Sequence, residues 1–249
     1  SSSVFIKPEK RNCSLVFQDY ALFPNMTMAD NIYFGEESKK NKARVKELIY
    51  ITGIDKILAK FPHECSGGEQ QRVALVRSMA IQPELILMDE PLSNLDYNLK
   101  SKISTLICKV IKKFKTTAVI VTHDILDAMK ISDRIIVFGN GKIIQDGPPL
   151  EIYEKPNCKK VALLFGQTNF IPLELFPDSK NYFSDVDTNK FFIPIRPEQF
   201  ILYDENFNSN RMVFSGKINS IKKIGSNYDI ELITKDLSLL IQLTGLVDL

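Results

Sequence analysis

The 249 residues (28.4 kDa) are 44% hydrophobic and 25% charged, enough apolar content to bury a core and too much for a chain that is generally disordered. Lys and Arg total 32 against 30 Asp and Glu, a formal net charge of +2 that excludes a field strong enough to argue for nucleic acid or an anionic membrane as partner. Cys13, Cys65, Cys108 and Cys158 stand too far apart for a CxxC clip and are too few for a disulfide scaffold, so a reducing, cytosolic compartment is expected.

No stretch approaches the roughly 18 to 20 apolar residues that span a bilayer, and the opening SSSVFIKPEKR lacks the apolar core of a signal peptide. The chain is expected to be neither integral nor exported. Ser1 is not preceded by methionine and the first methionine is Met26, so either an initiator has been trimmed or the chain begins within a domain.

In chain order, Cys13 to Phe17 reads as a buried strand ending at Gln18. From about Glu36 to Ile81, Val45, Leu48, Ile49, Ile57 and Leu58 recur at helical spacing, broken by Gly53 and Pro62, and predict a small helical block. Glu84 to Asp89 is a continuous apolar run ended by charge, the pattern of a parallel strand covered on both faces. Leu95, Leu99, Ile103, Leu106, Val110 and Phe114 mark an amphipathic helix with its lysines outward, and Ala118 to Thr122 reads as the next buried strand. Arg134 to Gln145 reads as a hairpin, because Asn140-Gly141 between apolar runs supplies the positive φ angles of a tight primed turn. Strand, helix, strand, helix and hairpin describe an α/β domain. A short helix near Leu150 to Tyr153 follows. Composition then shifts around Thr168 to Pro177, and the short runs between 191 and 249 suggest a small barrel. The lysines at 39 to 42 and 109 to 115 read as solvated helix faces.

Two runs carry the chemistry. In ELILMDEPLSNLD, Glu84 to Asp96, a buried strand delivers Asp89 and then Glu90 to the end of the sheet where an open α/β fold binds its ligand. One aspartate suffices for Mg²⁺ on a nucleotide, because that ion keeps most of its waters. Glu90 then polarises the attacking water. In CSGGEQQR, Cys65 to Arg72, Ser66, Gly67 and Gly68 open a helix and offer either a phosphate cradle or a plain serine N-cap with glycines in its turn. His123 follows a strand where its imidazole meets a phosphate oxygen or the water, and Gln18 ends a strand with a side chain suited to water or metal. Taken alone, a histidine or glutamine of this kind is usually structural.

Gln18, SGGE (Ser66 to Glu69), LILMDE, SNLD and TH stand in the order of Q-loop, signature, Walker B, D-loop and H-loop, and in this the chain resembles the ATP-binding cassette family. PEKRNCSLVFQDYALFPNMTMADNIYFG and FPHECSGGEQQRVALVRSMA are similar to the ATPases of its importers for iron, polyamines, sulfate or sugars. The resemblance implies a P-loop NTPase-like α/β cassette at 1 to 165, truncated at its N-terminus, with a helical subdomain at about 36 to 81. It implies a small all-β, OB-like (TOBE-type) domain at 168 to 249, where Ile195 to Gln199 (IRPEQ) looks like that domain's RPE element. ATP and Mg²⁺ are the implied cofactors. Asp89 and Gln18 serve the metal, Glu90 is the general base, His123 senses the γ-phosphate, and Gln18 couples the metal site to the transporter. Ser66, Gly67, Gly68 and Glu69 address ATP held by a second cassette, a homodimer mate or intact paralogue, with Ser93 and Asp96 at that seam. Asp19 to Thr27 receives the membrane permease, with Phe23 and Met26 as apolar contacts or core residues. The implied place is the inner face of the cell membrane, and the implied solute is iron or a polyamine.

The pattern departs in two places. GxxxxGK[ST], whose amides wrap the phosphates, is absent from the 249 residues: Gly141-Lys142 and Gly216-Lys217 are each followed by isoleucine, and Ile136 and Arg211 stand where the first glycine belongs. In family order that loop and the adenine-stacking aromatic precede Gln18, so the chain is expected to begin after them and not to hydrolyse ATP in its own site. A non-catalytic cassette that only binds a partner is the alternative, and a soluble cassette ATPase of repair or translation lacks the DYALFP segment. Cys65 stands where the family has leucine, either as a thiol of lowered pKa before a helix N-terminus or as a small apolar substitute.

Overall fold

A computed structural model describes residues 6–7, 11–93, 95–175, 192–203 and 212–245. Asn94 of the SNLD run, Phe191 and Pro177 lie outside the described residues. The chain forms two compact units, Ser1–Ile131 and Ser132–Leu249.

The first unit holds a parallel three-stranded sheet, β1 (Cys13–Val16), β2 (Leu85–Asp89) and β3 (Thr117–Val121), with β2 in the centre. Leu15 lies beside Leu87 and Leu87 beside Val119, so the three strands end together. Helices α1 (Met28–Ile32), α2 (Glu36–Lys40), α3 (Lys42–Thr52) and α4 (Gly67–Ala80) make the helical block, and α5 (Tyr97–Phe114) and α6 (Ile125–Ile131) follow β2 and β3. Gly53 ends α3 at φ 62°, a left-handed cap that glycine adopts without a Cβ penalty, and Pro62 opens a 3₁₀ turn, so the two predicted breaks stand where the sequence puts them. One core runs from Val16, Ile86 and Met88 of the sheet through Val73, Val76 and Met79 of α4 to Val45 and Leu48 of α3 and Ile103, Ile107 and Val110 of α5.

Sheet coverage differs from the expectation of two buried faces. Ile86 and Met88 are buried, but on the opposite face Leu15, Phe17, Val119 and Val121 are 41 to 58% exposed. Among the described residues the core apolar side chains gather on the Ile86 face, which a continuous apolar run cannot reveal, because the run reads the same whether one face or both is covered. The α5 lysines also differ in one member: Lys102, Lys109, Lys112 and Lys113 are exposed, whereas Lys100 turns inward onto acidic partners.

In the second unit β4 (Ile135–Gly139) and β5 (Lys142–Gly147) form the predicted hairpin. Gly139 pairs with Lys142, and Asn140 and Gly141 turn at φ 51° and 73°. Helices α7 (Pro149–Glu154) and α8 (Lys159–Leu164) precede β6 (Asn169–Pro172), which pairs with β7 (Phe192–Ile195). The meander β8 (Lys217–Ile224), β9 (Asn227–Ile233) and β10 (Ser238–Thr244) is a separate three-stranded antiparallel sheet. Asn169, buried, bridges the two sheets by donating to Leu240 O at 2.7 Å and accepting from the Leu240 amide at 2.7 Å.

Candidate functional site

The C-terminal ends of the three parallel strands carry the first group of predicted site residues. Asp89 ends β2, exposed, opposite Val121. Glu90 then turns at φ 46°, a region sparsely populated by residues with a Cβ, and its amide donates to Val121 O at 2.9 Å. That turn aims the carboxylate at the loop after β3. There the His123 amide donates to Glu90 Oε1 at 3.0 Å, and the imidazole Nδ1 sits 2.6 Å from the same oxygen. The imidazole is 80% exposed and the carboxylate 18%, so the Glu90 carboxylate is sheltered behind a ring that solvent reaches. Ser93 closes the turn by donating its amide (3.2 Å) and its hydroxyl (3.0 Å) to Glu90 O, and Gln18 Nε2 reaches Ser93 Oγ at 3.5 Å from the end of β1. Gln18, Glu90 with Ser93, and His123, from three separate segments of the sequence, thus form one bonded group beside Asp89.

Ser66 and Glu69 form a reciprocal capping box at the start of α4: Ser66 Oγ accepts from the Glu69 amide, and the Glu69 carboxylate accepts from the Ser66 amide and hydroxyl, each at 2.8 Å. These bonds from Ser66 hold the Glu69 carboxyl below the usual carboxylate range. A carboxyl whose folded pKa is depressed adds stability that is present above its unfolded pKa and is lost as pH falls through the folded one. Wild type is therefore expected to lose more stability than Glu69→Gln between about pH 5 and pH 3, read from denaturant midpoints of the two chains. Equal losses would remove the box from the stability of α4.

Gly68 is buried, and a Cβ there meets Leu99 Cδ2 at 2.7 Å, so a glycine is what lets α4 and the start of α5 approach. Asp96 caps α5 by accepting the Leu99 amide at 2.9 Å. Gln71, 2% exposed, donates to Pro91 O and so ties α4 to the turn that carries Glu90. The structure thereby connects the SGGE helix to the DE turn, a link that sequence reading missed because Gln71 looks like a surface member of a polar run.

Cys65 resolves in favour of packing. It is half-buried against the core, and burial pushes its thiol up, with Glu69 adding to the rise, Lys60 opposing it and Glu64 adding again. In the Asp19–Thr27 segment, Tyr20 and Ala21 take positive φ (63° and 43°), and buried Asn31 accepts from the Phe23 amide at 2.8 Å while donating to Phe23 O, Met26 O and Thr27 O. Phe23, 38% exposed, lies 4.5 Å from the Phe34 ring, and Met26 is half-buried.

Residues 4–93 match the family described as "ABC transporter". The chain is 43% identical over 171 residues to the sulfate/thiosulfate import ATP-binding protein of Chromobacterium violaceum, covering 67% of this chain and 47% of that protein. It is 42% identical over 171 residues to the Fe(3+) ions import ATP-binding protein of Rhizobium etli, covering 67% and 48%. Over 233 residues it is 36% identical to the molybdate/tungstate import ATP-binding protein of Pyrococcus horikoshii, covering 89% and 68%. Among solved structures, cbiO1 from Clostridium perfringens, part of the ABC transporter complex cbiONQ, superposes with a TM-score of 0.54 at 28% identity over 58% of this chain and 60% of that one. The fold and the ordered DE, SGG and TH elements are those of a nucleotide-binding cassette. The chain belongs to the ABC transporter family, among relatives named as import ATP-binding proteins. It spans about half the length of the sulfate and iron relatives.

Proposed function

We propose that the chain acts in the ATP-binding and ATP-hydrolysing subunit of an importer, which energises solute movement by closing on a second cassette over nucleotide. The observation that carries this reading is the Glu90–His123 contact at the end of a parallel strand, beside Asp89 and in reach of Gln18 through Ser93. In this reading Glu90 takes the proton of the attacking water, His123 meets the γ-phosphate, and Ser66, Gly67, Gly68 and Glu69 face ATP on the mate, with Ser93 and Asp96 at the seam.

Mg²⁺ fits these residues. Asp89 supplies an exposed carboxylate and Gln18 an amide oxygen, hard donors of the kind the ion takes. Among the described residues no cluster of three His, Cys, Asp or Glu is placed to hold a metal. Held by Asp89 and Gln18, Mg²⁺ would supply positive charge against the phosphates. The chain's own residues orient and deprotonate the water.

No helix among the described residues is long and apolar enough to cross a membrane. Attachment to a permease through Asp19–Thr27, at the inner face of the cell membrane, is the matching proposal, and Phe23 beside Phe34 is its apolar surface. Residues 168–249 are proposed to be an OB-like regulatory domain. Relatives named for sulfate, iron and polyamine import share this cassette at comparable identity, so the choice of solute belongs to other subunits.

Phosphoryl transfer depends on positioning and charge stabilisation of the phosphates. The 249 residues hold no GxxxxGK[ST], so by themselves they are expected to release no phosphate from ATP above background. Steady-state phosphate release by the purified 249-residue chain tests this, with Glu90→Gln alongside. Hydrolysis that Glu90→Gln abolishes would overturn it.

A further inference from the structure

Lys100, in the first turn of α5, places Nζ between two carboxylates of the loop and helix after β3, 2.5 Å from Asp124 Oδ2 and 2.7 Å from Asp127 Oδ2. The three side chains are 20%, 34% and 9% exposed, so the fork is largely withdrawn from solvent, unlike an ordinary surface pair. Asp124 is held from its other side as well. Its Oδ1 accepts the Leu126 and Asp127 amides at 2.9 and 3.1 Å, and its own amide donates to Thr122 Oγ1 at 3.0 Å. The residue just before Asp124 is His123.

At its other end Lys100 is anchored to the seam segment, since its amide donates to Asp96 O at 2.8 Å while Asp96 caps the same turn. A continuous bonded path therefore runs from Asp96 through Lys100 and Asp124 to His123 and on to Glu90. We propose that Lys100 is a positioning residue, an ion-paired strut that makes the placement of His123 against Glu90 depend on the placement of Asp96. The proposal rests on the reading of Glu90 and His123 as the hydrolytic pair. Lysine suits the task because its ammonium satisfies two separate carboxylates as a point charge.

The test uses the 249-residue chain, whose only histidines are His63 and His123, so that His63→Gln assigns the imidazole resonances in an NMR spectrum. Lys100→Met is expected to move the His123 ring signals and to speed exchange of the His123 amide by about tenfold or more, leaving the Glu90 amide, bonded to Val121 O, unchanged. Lys100→Arg, which restores the charge, is expected to return both toward wild type. If Lys100→Met does not fold, Asp127→Asn, which removes one arm of the fork, is read in the same way. Glu90→Gln separates the two claims. Where it moves the His123 signals and loss of the strut does not, the strut is wrong and the Glu90–His123 pair stands. Where neither moves them, the pair itself fails, and the hydrolytic reading with it.

Discussion

On the proposed reading of Glu90 as general base, Glu90→Gln in a transport-competent complex that contains these residues is expected to lower ATP turnover by about 10²- to 10⁴-fold. The substitution is nearly isosteric, and an amide oxygen still accepts the His123 amide that now donates to Oε1 at 3.0 Å. What it removes is the capacity to take a proton from water. The loss therefore falls on kcat, while KM and equilibrium ATP binding stay within about twofold of wild type. A parallel loss of binding would mean that Glu90 holds nucleotide, and unchanged turnover would mean that another group deprotonates the water. His123→Ala is expected to be a different lesion. It removes the ring from Oε1 and the proposed phosphate contact together, so KM rises as kcat falls.

What the residues reveal in advance divides along physical lines. β2 was legible because a continuous apolar run ended by Asp89 has few other meanings, and the hairpin was legible because Asn140-Gly141 satisfies a backbone requirement that few pairs meet. Glu90 and His123, 33 residues apart, were legible as candidates through the order of motifs, but their 2.6 Å contact depends on the positive φ at Glu90 and on β2 pairing with β3. Neither is written locally. Lys100 was misread because helical periodicity sorts a lysine by the face it stands on, whereas Asp124 and Asp127 arrive from an element 24 residues on. The open sheet face around Val119 and Val121 was misread for a similar reason, since strand composition reports a preference for burial and not the presence of a cover. Cys65 turned on burial, the largest cause of the rise in its thiol, which a position before a helix does not report.

The second large effect concerns the run Ile195 to Gln199, noticed in the sequence for its family likeness and found in the structure to organise the second unit. Arg196 is 4% exposed. Its Nη1 donates to Ala162 O at 2.9 Å, Gly166 O at 3.3 Å and Thr168 Oγ1 at 2.6 Å, its Nη2 donates to Tyr153 O at 3.3 Å, and its guanidinium lies 4.4 Å from the centre of the Tyr153 ring. One side chain thus ties α7, the end of α8 and the start of β6 to the turn after β7, while Tyr153 Oη donates to Glu198 two residues on. Arg196→Met keeps most of the length and apolar stem but removes all four donated bonds. Ala162 O still accepts the Phe165 amide and Gly166 O the Thr168 hydroxyl, so the loss is about 2–4 kcal/mol, the worth of one or two bonds from a charged donor. Against total stabilities of about 5–15 kcal/mol that is a large share, and the second unit is expected to melt first and separately from the first. Arg196→Lys is expected to recover only a minor part, because an ammonium cannot span the carbonyls that the planar fork reaches. Hydrogen exchange along the chain checks both variants: protection should collapse across α7, α8 and β6 while the Ile86, Met88 and Val76 core keeps its wild-type rates. Uniform loss across both units would show instead that they unfold as one, and intact protection near Ala162 would show that water replaces the guanidinium without penalty.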